Sequence, residues 1–299
     1  MKGKDDVKDN IKTMKKNEAD RLMTHFRDIF ISKARFEGMP PEIPDNYPLY
    51  KLWTNRCVTF FRLEEADMYL CLPIAEESVV ENPYGLPSKW RAVAQGNLAS
   101  IISSKVLTPE NAVLIWCNPS HKAPEEHVRT IVNQMVNVEY TKRLNINAQK
   151  MPINVITNDS KVLSDLNVMS KFLEASPTMI TDRSVADRLE VVNLGVPIIS
   201  ADLDDTYNRY YCRIMDYLGC DNVNIDKKER LITAEAEANN EQTILKHYAF
   251  METWRQGIEK VNEMFGLNIQ VIDVNEDERQ AEASEGMPEE DPKDEEAEE

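Results

Sequence analysis

The spacing of apolar residues predicts several amphipathic helices. Between residues 17 and 36, apolar side chains recur at intervals of three and four, and Lys33 falls on the same face. Gly38 and the Pro40–Pro41 pair would end this helix. The same periodicity predicts long helices over three further stretches and shorter helices over two: 124–146, 204–218 and 244–265, then 47–56 and 160–174. Lys142 lies on the apolar side of the second long helix.

Short apolar or alternating runs in the middle of the chain predict β-strands. They are separated by turn residues and suggest an antiparallel β insertion at 57–61, 68–72, 90–94 and 112–117. Further strands are expected at 153–157, 189–193 and 267–274. Long helices combined with separate strand regions indicate an α+β fold.

The net charge of −17 is concentrated at the carboxyl end of the chain. Residues 276–299 hold 13 acidic and 2 basic side chains, a sum of −11, so residues 1–275 carry 39 acids, 33 bases and only −6. This tail has no aromatic residue, and we expect it to be disordered because it cannot bury enough apolar surface. The overall acidity argues against a protein that coats nucleic acid with a broad basic surface.

Familiar signatures of enzymes and secreted proteins are missing from the sequence. The nine glycines are never closer than nine residues, so no phosphate-binding loop and no dinucleotide-binding glycine motif can be written. The four histidines include no i, i+4 pair that could bind zinc from a helix. Five irregularly spaced cysteines indicate reduced thiols. We therefore expect a soluble protein with no cofactor, and no stretch is apolar enough to span a membrane.

Asp202, Asp204 and Asp205 form a carboxylate cluster. They could bind a divalent metal, as in a nuclease, or they could cap the amino end of the helix that follows. Since no second carboxylate cluster accompanies them, capping is the simpler interpretation. A metal-dependent nuclease or another DNA-processing enzyme stays open as the alternative function.

Two other polar regions are candidates for nucleic-acid contact. The stretch 220–243 separates two long helices, and a loop of that length is usually functional or disordered. The first 36 residues carry 10 Lys/Arg against 6 Asp/Glu, and residues 1–16 are predicted to form a flexible, basic-leaning arm. The lysines of this arm are Lys2, Lys4, Lys8, Lys12, Lys15 and Lys16.

Several sequence blocks, in order and with matching intervals, resemble the upper collar protein of small short-tailed phages of the Picovirinae type. This protein is also called the portal or head–tail connector. The blocks are NAQKMP (147–152), LG (218–219), NIDKKER (224–230), TAE (233–235), NEQ (240–242) and EKVNEMFGLN (259–268).

The resemblance implies a structural protein without enzymatic activity. Its subunit would have long channel-lining helices, a small SH3-like, β-rich region and a β insertion, and the portal fold would occupy residues 17–275. Twelve copies would form a cyclic ring at one capsid vertex, through which double-stranded DNA is packaged and ejected and to which the tail attaches. The implied partners are the major capsid and scaffolding proteins, a packaging ATPase, in some relatives a packaging RNA, and the lower collar and tail proteins. The ring would be assembled in the host cytoplasm and reside in the virion.

The resemblance also assigns candidate site residues. The stretch 220–243 would be the tunnel loop that projects into the channel. Its residues matching the family's motifs are Lys227, Lys228, Glu229, Arg230, Glu235 and Asn240, of which the three basic ones would contact DNA. The amino-terminal lysines would face the packaging machinery. A third hypothesis, a monomeric binding module whose acidic tail mimics DNA, is separated from the ring by the oligomeric state.

Overall fold

The computed structural model describes residues 2–150, 153–156, 190–193, 197–220 and 233–274. Its helices are α1 (Lys2–Ser32), α2 (Tyr47–Thr54), α3 (Ala99–Ser104), α4 (Pro124–Lys150), α5 (Ser200–Leu218) and α6 (Thr233–Phe265). Its strands are β1 (Ala34–Glu37), β2 (Cys57–Leu63), β3 (Met68–Pro73), β4 (Val80–Glu81), β5 (Pro87–Lys89), β6 (Ala112–Trp116), β7 (Ile153–Ile156), β8 (Glu190–Asn193) and β9 (Gln270–Asp273). The chain divides into two compact units, Met1–Ala19 with Val132–Cys212, and Asp20–Ile131 with Arg213–Glu299.

The second unit is built around a three-stranded antiparallel sheet in the order β3-β2-β6. Six of the seven residues of the central strand β2 are buried, because both faces of the sheet are covered. On one face, Phe60 contacts the ring of Phe265 from α6. On the other, Phe61 belongs to a small apolar cluster, and Thr59 accepts a 3.0 Å hydrogen bond from the indole of Trp90. This sheet is the predicted β insertion.

Aromatic side chains join α1, α2 and α6 in the same unit. The ring of Phe30 lies 5.5 to 5.8 Å from those of Trp53, Phe250 and Trp254, and all four residues are buried. The indole of Trp254 also donates a 3.0 Å hydrogen bond to the carbonyl of Cys117, just after β6. Apolar burial of this size dominates the stability of such a unit.

A two-stranded antiparallel sheet joins residues that are far apart in sequence. β1 pairs with β9, and Ala34 stands opposite Asp273. The backbone N–H of Val274 then donates to the carbonyl of Lys33 at 3.2 Å. The residue after α1 is thereby fixed beside the end of the described chain.

The first unit contains long helical segments and one short pair of antiparallel strands. β7 and β8 are antiparallel, with Ile153 opposite Asn193. The side chain of Asn145, buried in α4, donates to the carbonyl of Pro197 at 2.8 Å and accepts from the N–H of Ile199 at 3.2 Å. These two bonds secure the segment that leads into α5.

The mixed helix-and-strand fold is confirmed, with several corrections to element boundaries. The first helix begins at Lys2, so the residues predicted as a flexible arm are helical from that point on. It ends at Ser32, and residues 34–37 form a strand. Their burial alternates with a period of two, as expected for a strand with one buried face. The predicted strand 90–94 is reduced to isolated bridges at Trp90 and Ala92.

The remaining predicted elements match the structure or lie outside its described residues. The helix expected from 244 begins at Thr233, and the helix expected from 204 begins at Ser200. The strands predicted at 153–157 and 189–193 are confirmed as β7 and β8. The predicted helix 160–174 and the acidic tail 276–299 lie outside the described residues. Within the described residues, no helix combines the length and the apolar character required to cross a membrane.

Candidate functional site

The two helices that flank the predicted tunnel loop belong to the described residues, whereas the middle of the loop does not. Lys227, Lys228, Glu229 and Arg230 lie outside the described residues, which stop at Cys220 and resume at Thr233. The described part of the candidate site consists of its two stems, the end of α5 and the first half of α6.

The predicted loop is shorter than the sequence suggested. Residues 233–243 belong to α6, so Glu235 and Asn240 lie within a helix and not in an extended loop. The sequence TAEAEA at the start of α6 explains this, because alanine and glutamate are strong helix formers even where no apolar stripe is present.

The stem formed by α5 ends in a tight glycine cap. Gly219 has a φ of +67°, its N–H donates to the carbonyl of Asp216 at 3.2 Å, and the N–H of Cys220 donates to the carbonyl of Met215 at 2.9 Å. These two bonds form a Schellman motif, in which glycine takes the left-handed position without steric cost. A Cβ at Gly219 would stand 2.7 Å from the Cα of His247, so α5 and α6 approach each other through their backbones.

Side chains also tie the two stems together. The carboxylate of Asp216 accepts a 2.9 Å hydrogen bond from the hydroxyl of Thr243 and contacts the ammonium of Lys246 at 3.1 Å. Thr243 is buried, whereas Asp216 and Lys246 are half-exposed. The chain between Asp216 and Thr243 therefore leaves this contact and returns to it, and the last ten residues of that stretch, 233–242, belong to α6.

A buried lysine also contacts the end of α5. The ammonium of Lys33 donates a hydrogen bond to the carbonyl of Leu218 and lies 4.4 Å from the centre of the Phe250 ring. Only 3% of Lys33 is exposed. Burial lowers the pKa of Lys33 to about 8, although Cys220 and Asp273 act in the opposite direction.

His247 and Asp273 complete this polar group. Nε2 of His247 lies 2.6 Å from a carboxylate oxygen of Asp273, which is buried. Nδ1 of His247 is buried and has no hydrogen-bond partner within the described part of the chain. Because a carboxylate accepts hydrogen bonds, Nε2 of His247 is the donor in this contact.

Sequence reasoning missed Lys33, Asp216, His247 and Asp273 as parts of the site. The available signal was the position of Lys33 on an otherwise apolar face, because a lysine there must find a polar partner when the face is buried. Its partner lies 185 residues away in sequence, which no local pattern could reveal.

The amino-terminal lysines lie on α1 and differ in their surroundings. Lys15 donates a 2.9 Å hydrogen bond to Asn137 and lies 4.3 Å above the ring of Tyr140, both on α4. Lys12 and Lys16 are exposed. Lys2, Lys4 and Lys8 belong to the helix, but their side chains are outside the described set.

The acidic cluster lies in the first turns of α5, where carboxylates face the positive end of the helix dipole. Asp204 forms an ion pair with Lys142 of α4, and this bond raises the pKa of the lysine. Asp202 and Asp205 are exposed. No three His, Cys, Asp or Glu side chains come together as a metal site among the described residues.

Comparisons with known proteins agree with the resemblance seen in the sequence. The chain matches the family model described as Phage Connector (GP10) over residues 7–277. It is similar to a chain of the portal and tail of native bacteriophage P68, at 13% identity and a TM-score of 0.46, with 94% of this chain and 97% of that chain covered. It is also similar to an HK97 family phage portal protein from Corynebacterium diphtheriae, at 11% identity and a TM-score of 0.49, with 89% and 94% covered.

The family match carries the conclusion because it spans nearly the whole chain. Membership implies a structural protein of the virion that acts in an oligomeric ring with capsid and tail proteins. The chain belongs to the phage connector family and is a portal protein of the phage head–tail junction.

Proposed function

We propose that twelve copies of the chain form the ring at one capsid vertex and that double-stranded DNA passes through its channel during packaging and ejection. The segment 221–232 of each copy would project into the channel. Lys227, Lys228 and Arg230 would contact the DNA backbone, and Glu229 and Glu235 would pair with neighbouring copies.

The observation that supports this proposal most directly is the joining of the two stems. Asp216 on α5 binds Thr243 and Lys246 on α6, so the whole stretch between Asp216 and Thr243, including the first ten residues of α6, is closed at its base by this contact. Residues 221–232, which include the three basic residues proposed to contact DNA, lie between the two helices in sequence. A segment anchored in this way can extend from the fold without loosening the helices that carry it.

The distribution of charge suits a channel that must release DNA as readily as it accepts it. Residues 1–275 carry −6 in each copy, about −72 in a ring of twelve. Many lysine contacts with phosphate would add to an affinity driven by counterion release, which would slow the movement of the duplex. A mostly acidic wall with a narrow basic belt at residues 227–230 would hold DNA weakly and let it slide.

The remaining partners follow from the position of the ring. Major capsid and scaffolding proteins would contact its head side, and the lower collar and tail proteins its other side. The energy for packaging would come from a separate ATPase, toward which the exposed Lys12 and Lys16 of α1 are proposed to point. A packaging RNA, where one is used, would meet the same lysines. Assembly would take place in the host cytoplasm.

Alanine substitution of the basic belt tests the proposed DNA contact. The triple variant Lys227→Ala, Lys228→Ala and Arg230→Ala should form rings like the parent protein but lose packaged DNA from assembled particles. The measurement is the length and amount of DNA protected from nuclease in particles built with the variant ring.

A matched control removes the same charge from another surface. Lys89, Arg91 and Lys122 are exposed residues of the second unit, and their replacement by alanine should leave DNA retention unchanged. Full-length packaging and normal retention by the belt variant would contradict the proposed contact.

A further inference from the structure

A short hairpin in the second unit presents an unusually exposed aromatic side chain. Tyr84 lies in the turn between β4 and β5 and is 88% exposed, more than any other large hydrophobic side chain that the structure describes. Val80 and Leu86 of the same hairpin are also exposed. Grouped apolar side chains at a surface mark contact sites, and tyrosine is enriched in protein interfaces. The tip of the hairpin therefore has the composition of a protein–protein contact.

Hydrogen bonds hold the turn of this hairpin in one conformation. The side-chain carbonyl of Asn82 accepts from the backbone N–H groups of Tyr84 at 2.9 Å and of Leu86 at 3.0 Å. The backbone of Asn82 also donates to the carbonyl of Leu86 at 2.8 Å and accepts from the N–H of Gly85 at 2.9 Å. A turn that is already ordered loses little conformational freedom when it binds. Tyr84 is thus presented on a preorganised support.

An apolar groove lies at the other edge of the three-stranded sheet. The hairpin is next to β6, because Asn82 and Leu86 line one cavity together with Val113 and Leu114. The groove, about 690 Å³ in volume, lies along β3, which is the opposite edge strand in the order β3-β2-β6. Cavities of this size can enclose an aromatic side chain. The apolar part of its wall is formed by Leu70, Leu72, Pro73, Val93, Ala94 and Leu98.

The hairpin and the groove are both electrically balanced, although the chain is acidic. Residues 79–89 contain one acid and one base, Glu81 and Lys89. The wall of the groove also contains one of each, Glu42 and Lys51. Copies that each carry a net charge of −17 repel one another, so contact between them is favoured where the facing surfaces carry no net charge. The two charged groups of the groove also provide hydrogen-bond partners for a tyrosine hydroxyl.

A cyclic ring requires two different surfaces on each subunit that meet head to tail. The hairpin tip projects, the groove is concave, and they lie at opposite edges of one sheet. We propose that Tyr84 of each copy inserts into the β3 groove of the neighbouring copy and anchors the contact between subunits of the ring. The inference rests on the proposed function only for the ring itself, and it requires neither twelve copies nor the contact with DNA.

Photo-crosslinking from position 84 tests this contact in full-length rings. With p-benzoylphenylalanine in place of Tyr84, illumination should give a covalent dimer of about 69 kDa on a denaturing gel, twice the 34.4 kDa of one chain. Peptide mapping should place the other end of the crosslink in the groove, within residues 42–51, 70–73 or 93–102. Rings without crosslinked dimers, or with the second end elsewhere, would overturn the inference. Crosslinks in assembling particles only to a scaffolding or capsid protein would also overturn it and assign the hairpin to that partner.

Two substitutions at exposed positions test the contribution to ring stability. Tyr84→Ser removes the aromatic ring from the hairpin, and Val93→Asp places a charge in the groove where the valine is 44% exposed. Each should raise the protein concentration needed to form rings at least about tenfold, because a few buried anchors dominate the energy of an interface. Tyr84→Phe keeps the aromatic ring and should form rings like the parent protein. Val106→Asp is the matched control, since Val106 is 46% exposed in the same unit and does not line the groove.

The parent protein separates this inference from the proposed function. Parent rings together with unchanged ring formation in Tyr84→Ser and Val93→Asp would overturn the inference alone. A parent protein that forms no rings would overturn both. Equal losses in Val93→Asp and Val106→Asp would show a general effect of added charge and overturn the assignment of the groove. If circular dichroism shows that a substituted chain is unfolded, the crosslink decides the outcome, because it keeps an aromatic side chain at position 84.

Discussion

Gly219 and His247 are in backbone contact, and a Cβ on the glycine would stand 2.7 Å from the Cα of the histidine. This contact sets how closely α5 and α6 can approach. Even a methyl group at Gly219 would therefore force the backbones of α5 and α6 apart.

Replacing Gly219 with alanine should be far more costly than replacing Gly266. Both glycines have a left-handed φ, +67° and +65°, but no atom lies within 4 Å of a Cβ at Gly266. Gly266→Ala should cost about 1 kcal/mol for the conformation alone. Gly219→Ala should cost at least about 2 kcal/mol more because α6 must move. Equal losses in urea unfolding experiments would show that the two helices do not touch at this point.

The buried hydrogen bond between Trp90 and Thr59 should contribute measurably to the stability of the second unit. Thr59→Val keeps the shape of the side chain but leaves the indole N–H without its acceptor. The expected loss is about 1–3 kcal/mol in the free energy of unfolding. Thr130→Val, at an exposed position on α4, is the control and should change it by less than about 0.5 kcal/mol. Similar effects for the two variants would contradict the assigned bond.

The five cysteines should fall into two groups of reactivity. Burial raises the pKa of Cys71 and of Cys117 to about 12 and raises that of Cys57 further, so these thiols are protected and protonated. Cys212 and Cys220 are only half-buried. A thiol reagent should modify no more than these two residues in the native protein and all five after unfolding. Rapid modification of Cys57, identified by peptide mapping, would contradict the described core.

Lys33 should make stability depend on pH in the alkaline range. Burial lowers its pKa to about 8 from an ordinary 10.5, so between these values the unfolded chain binds more protons than the folded one. Stability therefore rises with pH across this window, by about 1.4 kcal/mol per unit at most. The difference in unfolding free energy between the parent protein and Lys33→Met isolates this effect from the titration of other groups. A difference that is constant from pH 8 to 10 would show that Lys33 is not buried as described.

Long, periodic elements could be predicted from the sequence, and polar ones could not. The helices over 124–146 and 204–218 were predicted because their apolar faces repeat at helical spacing. The apolar pattern predicts a loop at the start of α6, because Ala234, Glu235 and Ala236 form no apolar face, although their intrinsic preference for helix is high. For these residues, intrinsic helix propensity predicts the structure better than the apolar pattern does. In α1, Lys15 gains a partner on α4 that local sequence does not contain.

Contacts between distant parts of the chain were not predictable from one sequence. β1 is only four residues long, and its strand character depends on pairing with β9 at the other end of the chain. The candidate site shows the same limit. The basic belt 227–230 was found by its composition, whereas the partners of Lys33 and Asp216 are set by how α5, α6 and β9 pack.

The oligomeric state of the purified full-length protein tests the central claim most directly. Native mass spectrometry combined with electron microscopy of the same sample should show closed rings with a central hole. Their mass should be that of twelve 34.4 kDa chains, about 413 kDa. Cyclic closure of this kind requires two different surfaces on each subunit that meet head to tail. A species that remains at 34.4 kDa at all concentrations, or that stops at a closed dimer, would contradict the account.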